Sequence, residues 1–234
     1  MVMANILGEV HSIHIGVIDD FIKPNTKSAI NKRPVNHPIR VHKSGLVGDE
    51  HADVIRHGGL DKAVHFYAFE HYQSWKQELG RLPLLEAAGA FGENISTLGF
   101  TEAHVYLGDR YQIGDVLLEV TQGRQPCWKL NDYFGVTDMA LRVQASLRTG
   151  FYCRVLVNGY IAPKQKVLLV SRGNSICNLK ELMEILFQDE VDKKALAQLL
   201  QLPLVPNWRQ MILNRINSGK KESVKERILG PRNA

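Results

Sequence analysis

The sequence has no apolar run approaching the roughly 20 residues that span a bilayer. Between Met1 and Ile15 it carries Glu9, His11 and His14, where an export signal needs an unbroken apolar stretch. Both absences predict a cytoplasmic protein with no membrane partner. Cysteine is scarce: Cys127, Cys153 and Cys177 are an odd number, widely spaced, with no CxxC pair. That excludes a disulfide framework, a cysteine-rich zinc site and a four-cysteine iron–sulfur cluster. Also missing are a Walker loop, a complete GxGxxG, an HExxH pair, a nucleophile elbow and a pair of carboxylates spaced for glycoside hydrolysis.

What remains is an ordinary globular composition of 234 residues, 44% hydrophobic and 23% charged, enough for one medium domain with an appendage. The net charge of +5 is confined to residues 207–234, where seven basic residues face Glu222 and Glu226. Such a run is either a solvated helical end or a surface for an acidic partner protein or nucleic acid. Nucleic-acid binding rests on this tail alone and ranks last.

Up to about Arg172 the chain reads as short strands separated by turns. Val116–Thr121 and Val167–Ser171 are apolar runs of strand length, and Tyr152–Val157 joins them through its β-branched content. Gly-Asp pairs at 108 and 114 bracket Arg110–Ile113, which predicts consecutive antiparallel strands. Many short strands at this spacing favour a closed barrel or a sandwich, with helices at Glu70–Leu79 and Thr137–Leu147. After Arg172 the periodicity becomes helical. Asn178 caps a first helix, Asp192–Gln201 forms a second that Pro203 and Pro206 end, and Asn207–Asn217 forms a third that stops before Gly219. The expected organisation is a mainly β body over residues 1–172 and a three-helix appendage over 173–234.

Chemistry concentrates first in Gln122–Leu130, QGRQPCWKL. Cys127 follows a proline at the end of a strand-like run, and Trp128–Phe134 has the look of a short helix whose amide dipoles would favour an anion. Arg124 and Lys129 add positive charge, so the three effects together favour a thiolate, as a nucleophile or soft-metal ligand requires. Cys153 and Cys177 read as packing residues. A second cluster, GLVGDEHADVIRHGGLDK over 45–62, joins paired glycines to Arg56, His57 and Lys62, a set suited to an anion. Its Asp49, His51, Asp53 and His57 lack the spacing of a metal motif. His65 reads as a core histidine satisfied by its neighbours. TKSAINKRPV, with Lys27, and the turn FGENI over 91–95 say little by themselves.

Taken in order, GLVGDEHAD, RHGGLDKAV, FGENI, YLGDRYQIGDVLLEVTQ and RQPCWKL resemble the MOSC family, the domain named after the C-terminus of molybdenum cofactor sulfurase. The series extends from about Ile6 to Arg172. KSAINKRPV, CWKL and the three-helix extension resemble its bacterial branch known for resistance to 6-N-hydroxylaminopurine. The resemblance implies a MOSC-type β-barrel followed by a small three-helix domain, and molybdenum cofactor bound through a cysteine that falls on Cys127. It further implies a cradle for the pterin phosphate among Lys27, Arg56, His57, Gly58, Lys62, Arg124 and Arg154, with Asn94 and Gln125 on the pterin edge. Lys129 or His51 would deliver a proton. The implied activity is reduction of N-hydroxylated bases to amines, with electrons from an external reductase because no flavin, haem or iron–sulfur motif is present. The charge of the tail over 207–234 suggests that it helps dock this acidic redox partner. Two alternatives stand beside it: sulfur transfer through a Cys127 persulfide, and carriage of the cofactor without turnover.

Overall fold

The computed structural model describes residues 5–23, 25–53 and 58–230. In chain order its elements begin with strands β1 (Asn5–Ile15), β2 (Asp19–Asp20), β3 (Lys27–Ser28), β4 (Arg33–Val35), β5 (Ile39–His42), β6 (Gly45–Leu46) and β7 (Val64–Ala68). Helix α1 (Glu70–Leu79) leads to β8 (Ile95–Leu98), β9 (Arg110–Ile113) and β10 (Val116–Gly123). Helices α2 (Lys129–Phe134) and α3 (Met139–Ser146) precede β11 (Phe151–Val157), β12 (Gly159–Ile161) and β13 (Lys166–Ser171). The chain then turns helical through α4 (Leu179–Phe187), α5 (Lys193–Leu199), α6 (Pro206–Ser218) and α7 (Lys225–Leu229).

Seven strands close a barrel in the order β13-β9-β10-β11-β7-β8-β1, with β1 returning to pair with β13. Closure leaves these strands without a bare edge, which an open sheet of this length would have to protect. The strand β1 makes closure feasible because shifts of register near Gly8 and Ser12 bend it, so that it meets β13, β8 and β4 along its length. The predicted hairpin is present as β9–β10, with Ile113 opposite Val116 and Gly114 at φ 52 in the turn.

Alternation decides what faces inward. On β10, Val116, Leu118 and Val120 are buried, and on β11 Phe151, Cys153 and Val155 are buried, so Cys153 is a packing residue. All of β7 is buried because α1 covers its outer face. There Tyr67, Tyr72, Trp75 and Phe91 form a second, aromatic core with Leu130 and Met139. The crossover through α1 is what allows β7 and β8 to run parallel, the one such pair among the described strands.

The helical appendage shares the barrel's core. Asn178 caps α4 in a capping box with Glu181, and Leu179, Leu182, Met183 and Leu186 are buried with the barrel side chains. Asp192 caps α5 through the amides of Lys194 and Ala195. Pro206, expected to end the second helix, opens the third at its first turn, where a missing amide hydrogen costs nothing. Gly219 ends α6 in the left-handed conformation. The sequence did not foresee α7. It follows a non-helical stretch and brings the chain back to the barrel beside Cys127.

Candidate functional site

Cys127 sits four residues beyond β10, on the loop that enters α2. The end of β10 is packed so tightly that a Cβ on Gly123 would stand 2.4 Å from Met183 Sδ of α4. The Arg124 amide then donates to Gly150 O (3.0 Å), carrying the pairing with β11 past the strand end. Pro126 and Trp128 flank the cysteine, and Leu130 N donates to its carbonyl (3.0 Å) as the helix starts. With six residues α2 is short, so its dipole is weak.

Two chambers meet at this cysteine, and Asp53, Lys129 and Tyr152 border both. The inner one, about 90 Å³, lies among Lys32, His51, His65, Phe91, Asn94 and Arg124. The outer one, about 670 Å³, is lined by Lys62, Gln122 and Gln125 together with Asn207, Glu226 and Arg227 from the helical appendage. Its size is that of a site for a cofactor or substrate.

The inner chamber is built on a buried charge. Asp49 is 1% exposed at its side chain and accepts from Gly16 N (2.8 Å), Asn94 Nδ2 (2.8 Å) and Lys32 Nζ. The Lys32 side chain is 6% exposed. Burial depresses its pKa, against the pull of Asp49 and Glu93. His51 Nε2 stands 3.9 Å from Asp49 Oδ2, yet burial lowers its pKa below the usual histidine value, Asp49 opposing and Lys32 reinforcing. His65 is held well below that value by burial first and the Arg124 cation second, so it is neutral in the fold. Its Nδ1 meets Gly92 O at 3.2 Å, but Nε2 is buried with no hydrogen-bond partner, so this core histidine is only half satisfied. Arg124 is 7% exposed, and its Nη1 also has no partner. Tyr152 lies deep enough for burial to push its phenol up. Arg124 opposes that shift and the charge of Cys127 adds to it.

FGENI is now legible as scaffolding. Buried Glu93 accepts from Tyr72 Oη (2.6 Å), Gly89 N (2.8 Å) and Phe91 N (3.1 Å), and so fixes the turn that presents Phe91 and Gly92 to the inner chamber.

The anticipated site residues divide into three groups. Cys127, Lys129, His51, Asn94 and Arg124 share the inner chamber, and Lys62 and Gln125 line the outer one. Asn94 is already engaged, since its Oδ1 accepts from His65 N (3.0 Å) while its amide nitrogen donates to Asp49. The second group lies elsewhere. Lys27 is exposed and pairs with Asp20 (2.9 Å), and only its carbonyl reaches the site, accepting from Lys129 Nζ at 2.8 Å. Arg154 binds Asp61 (2.9 Å) and stands 3.7 Å from Glu119 on the barrel wall, outside both chambers, and Gly58 also lies outside their linings. Arg56 and His57 fall outside the described residues.

Sequence reasoning passed over Tyr152 and Arg227 and drew no role for Lys32. Tyr152 was within reach, because the pairing of β10 with β11 sets it opposite Gln122, beside the cysteine loop. Nothing local marks Arg227, which donates through Nη1 to Pro126 O and through Nη2 to Gln144 Oε1 (2.7 Å). Burial lowers its pKa, and the charge of Cys127 acts in the opposite sense.

With this geometry in hand, comparison with known proteins is informative. Residues 53–168 match the MOSC domain, and residues 179–219 match the YiiM-like, 3-alpha helix domain. Protein YiiM of Escherichia coli is 36% identical over 87% of this chain and 91% of its own. The uncharacterized protein YflK of Bacillus subtilis is 37% identical over 81% and 85%. A Gibberella moniliformis protein named "Reductase" is 34% identical over 83% of this chain, which spans 35% of that protein's length. The crystal structure of YiiM from Escherichia coli superposes with a TM-score of 0.79 at 30% identity, covering 95% of this chain and 99% of that one. YiiM from Geobacillus stearothermophilus gives 0.74 at 33% identity, covering 89% and 98%. The chain therefore belongs to the MOSC domain family, in the form whose barrel is followed by a YiiM-like three-helix domain.

Proposed function

We propose that the protein is a molybdenum-cofactor-dependent reductase of N-hydroxylated bases such as 6-N-hydroxylaminopurine, supplied with electrons by a separate reductase. The observation that carries this reading is the buried Arg124 Nη1, a cationic donor with no partner, lining the same chamber as Cys127. An unpaired buried donor of this kind costs about 1–3 kcal/mol, and an anionic or oxygen-rich ligand seated beside the cysteine removes that cost. Among the described residues no group of three or more His, Cys, Asp or Glu is placed to hold a metal. A metal here must then bring most of its ligands with it, as a pterin dithiolate does, and take one soft ligand from the protein. The residues present fit the cofactor.

When bound, the cofactor supplies two-electron redox chemistry at a molybdenum centre. Cys127 anchors it. Lys62 and Arg124 offer charge to its anionic parts, and Gln125 offers amide hydrogen bonds. The overall change, N-hydroxyl to amine and water, consumes two electrons and two protons. Lys129 borders both chambers, and in this reading it donates at the departing hydroxyl. His51, neutral through burial, is suited to relaying protons rather than storing one. Phe91 and Tyr152 set their rings along the inner chamber.

The test is metal and pterin content of protein from a cofactor-competent host, beside Cys127→Ala, followed by 6-N-hydroxylaminopurine reduction with a low-potential dye as donor. Metal present in the wild type, lost in the variant and accompanied by turnover supports the proposal. Metal without turnover favours carriage of the cofactor, and persulfide on Cys127 in place of metal favours sulfur transfer.

A further inference from the structure

Cys127 is gripped by a residue one hundred positions away in sequence. Arg227 Nη1 donates to the carbonyl of Pro126, immediately before the cysteine. The Arg227 carbonyl accepts from Trp128 N (2.7 Å), immediately after it. One residue thus holds both peptide groups that flank the thiol. Its own position is fixed from Gln144 Oε1 on α3, at 2.7 Å from Nη2. The neighbouring residues of α7 extend the grip. Ile228 is buried, and its carbonyl accepts from Asn131 Nδ2 (2.9 Å) of α2. Gly230 packs so closely on the Trp128 ring that an added Cβ would lie 3.1 Å from it. From the other side the Phe21 ring meets Trp128 edge-on at 6.0 Å and Lys23 Nζ lies 5.2 Å from its centre. Ser223, Glu226 and Arg227 meanwhile line the outer chamber together with Lys62 and Gln125.

A solvated tail would show none of this. We infer that Arg227 is a positioning residue of the Cys127 site: the C-terminal arm that carries it orients the cysteine loop and limits the size of what reaches the thiol. The inference takes from the proposed function only that Cys127 is the reactive group. Arg227 itself faces inward and is engaged, so a redox partner docking on the basic tail over 207–234 would meet its other cations.

The test uses full-length, cofactor-free protein and two thiol reagents of the same chemistry, a small maleimide and one carrying a bulky polymer. The ratio of their rates at Cys127, read by mass spectrometry, cancels any change in thiolate fraction and reports access alone. Cys153, fully buried in the barrel, is the internal control for loss of fold. Arg227→Gln is expected to raise the bulky-to-small ratio at least tenfold with Cys153 silent, and Arg227→Lys, which retains one donor, to restore most of the wild-type ratio. Faster hydrogen exchange at the Trp128 amide should accompany the change in Arg227→Gln. A ratio within twofold of wild type overturns the inference. So does a rise matched by labelling of Cys153, because Arg227 would then support the fold generally. Both results stand whether or not the protein proves to be a molybdenum reductase.

Discussion

Removing Asp49 probes the inner chamber most directly. In Asp49→Ala, Lys32 keeps a buried ammonium, 6% exposed at its side chain, without its anion. Breaking a buried pair from one side costs about 3–5 kcal/mol. The same change strips an acceptor from Gly16 N and Asn94 Nδ2, at about 1–3 kcal/mol for each donor left dry. Water entering from the chamber offsets part of this, so a net loss of about 4 kcal/mol is expected. Lys32→Met alone leaves Asp49 its two neutral donors and should cost about 2–3 kcal/mol. In Lys32→Met/Asp49→Ala no unpaired charge remains, and the total should fall short of the sum of the single losses by about 2 kcal/mol. The assay is urea unfolding of the three variants and wild type, followed by fluorescence of buried Trp75 and by circular dichroism. A loss below about 1 kcal/mol for Asp49→Ala, or strict additivity in the cycle, would refute the claim that the pair is energetically coupled.

Other expectations follow from the same geometry. His14 is buried with Nδ1 unpartnered, and its pKa falls from 6.5 to about 4 through burial, then Lys32, then His11. The unfolded chain therefore binds the extra proton first, so this contribution is intact above pH 6.5 and is lost as pH falls towards 4. The gap is worth on the order of 3 kcal/mol, and His14→Gln should flatten the stability profile in that window, an unchanged slope counting against it. Arg124→Met removes a dry donor as well as a ligand contact. The cofactor-free protein should gain about 1 kcal/mol in urea unfolding while cofactor retention drops at least tenfold, and a destabilised variant would contradict the first half. Gly123→Ala should be destabilising by about 1–3 kcal/mol through its clash with Met183, and Gly123→Ala/Met183→Ala should suffer no added loss from the glycine change if that contact is the cause.

How much of this was legible in advance depends on the range of each signal. The strands of the hairpin at 110–123 and the helices at 70–79 and 179–187 announce themselves through period, turn residues and caps, all within a dozen residues. Cys127 stands out in sequence for the same reason, since Pro126, Trp128 and two cations lie beside it, and the fold sets it where two chambers meet. Which cations line those chambers was not legible. Lys27 and Arg154 look no different in sequence from Lys62, yet Lys62 lines the outer chamber while the first pairs with Asp20 and the second with Asp61 away from it, a sorting that only folding creates. Closure of the barrel was equally hidden, because it depends on β1 changing partners along its length.

The tail shows the limit most clearly. Charge runs are read as solvated because isolated cations are costly to bury, and that holds for Lys220 and Lys225. It fails where a cation finds acceptors enough to leave water. Arg215 does so with Glu222 and the Leu186 carbonyl, and Arg227 with the Pro126 carbonyl and Gln144. In both cases the guanidinium satisfies two acceptors at once, as its planar fork permits and a lysine's ammonium does less well. The two arginines that fold inward are therefore bidentate, and Lys221 leaves water in the same way through the Phe187 carbonyl and Asp189, whereas Lys220 and Lys225 of the same run stay exposed. Basic character alone could not separate them. What separates them is the supply of acceptors: backbone carbonyls at the end of α4 and at the cysteine loop, which exist only once the barrel and the helices have met.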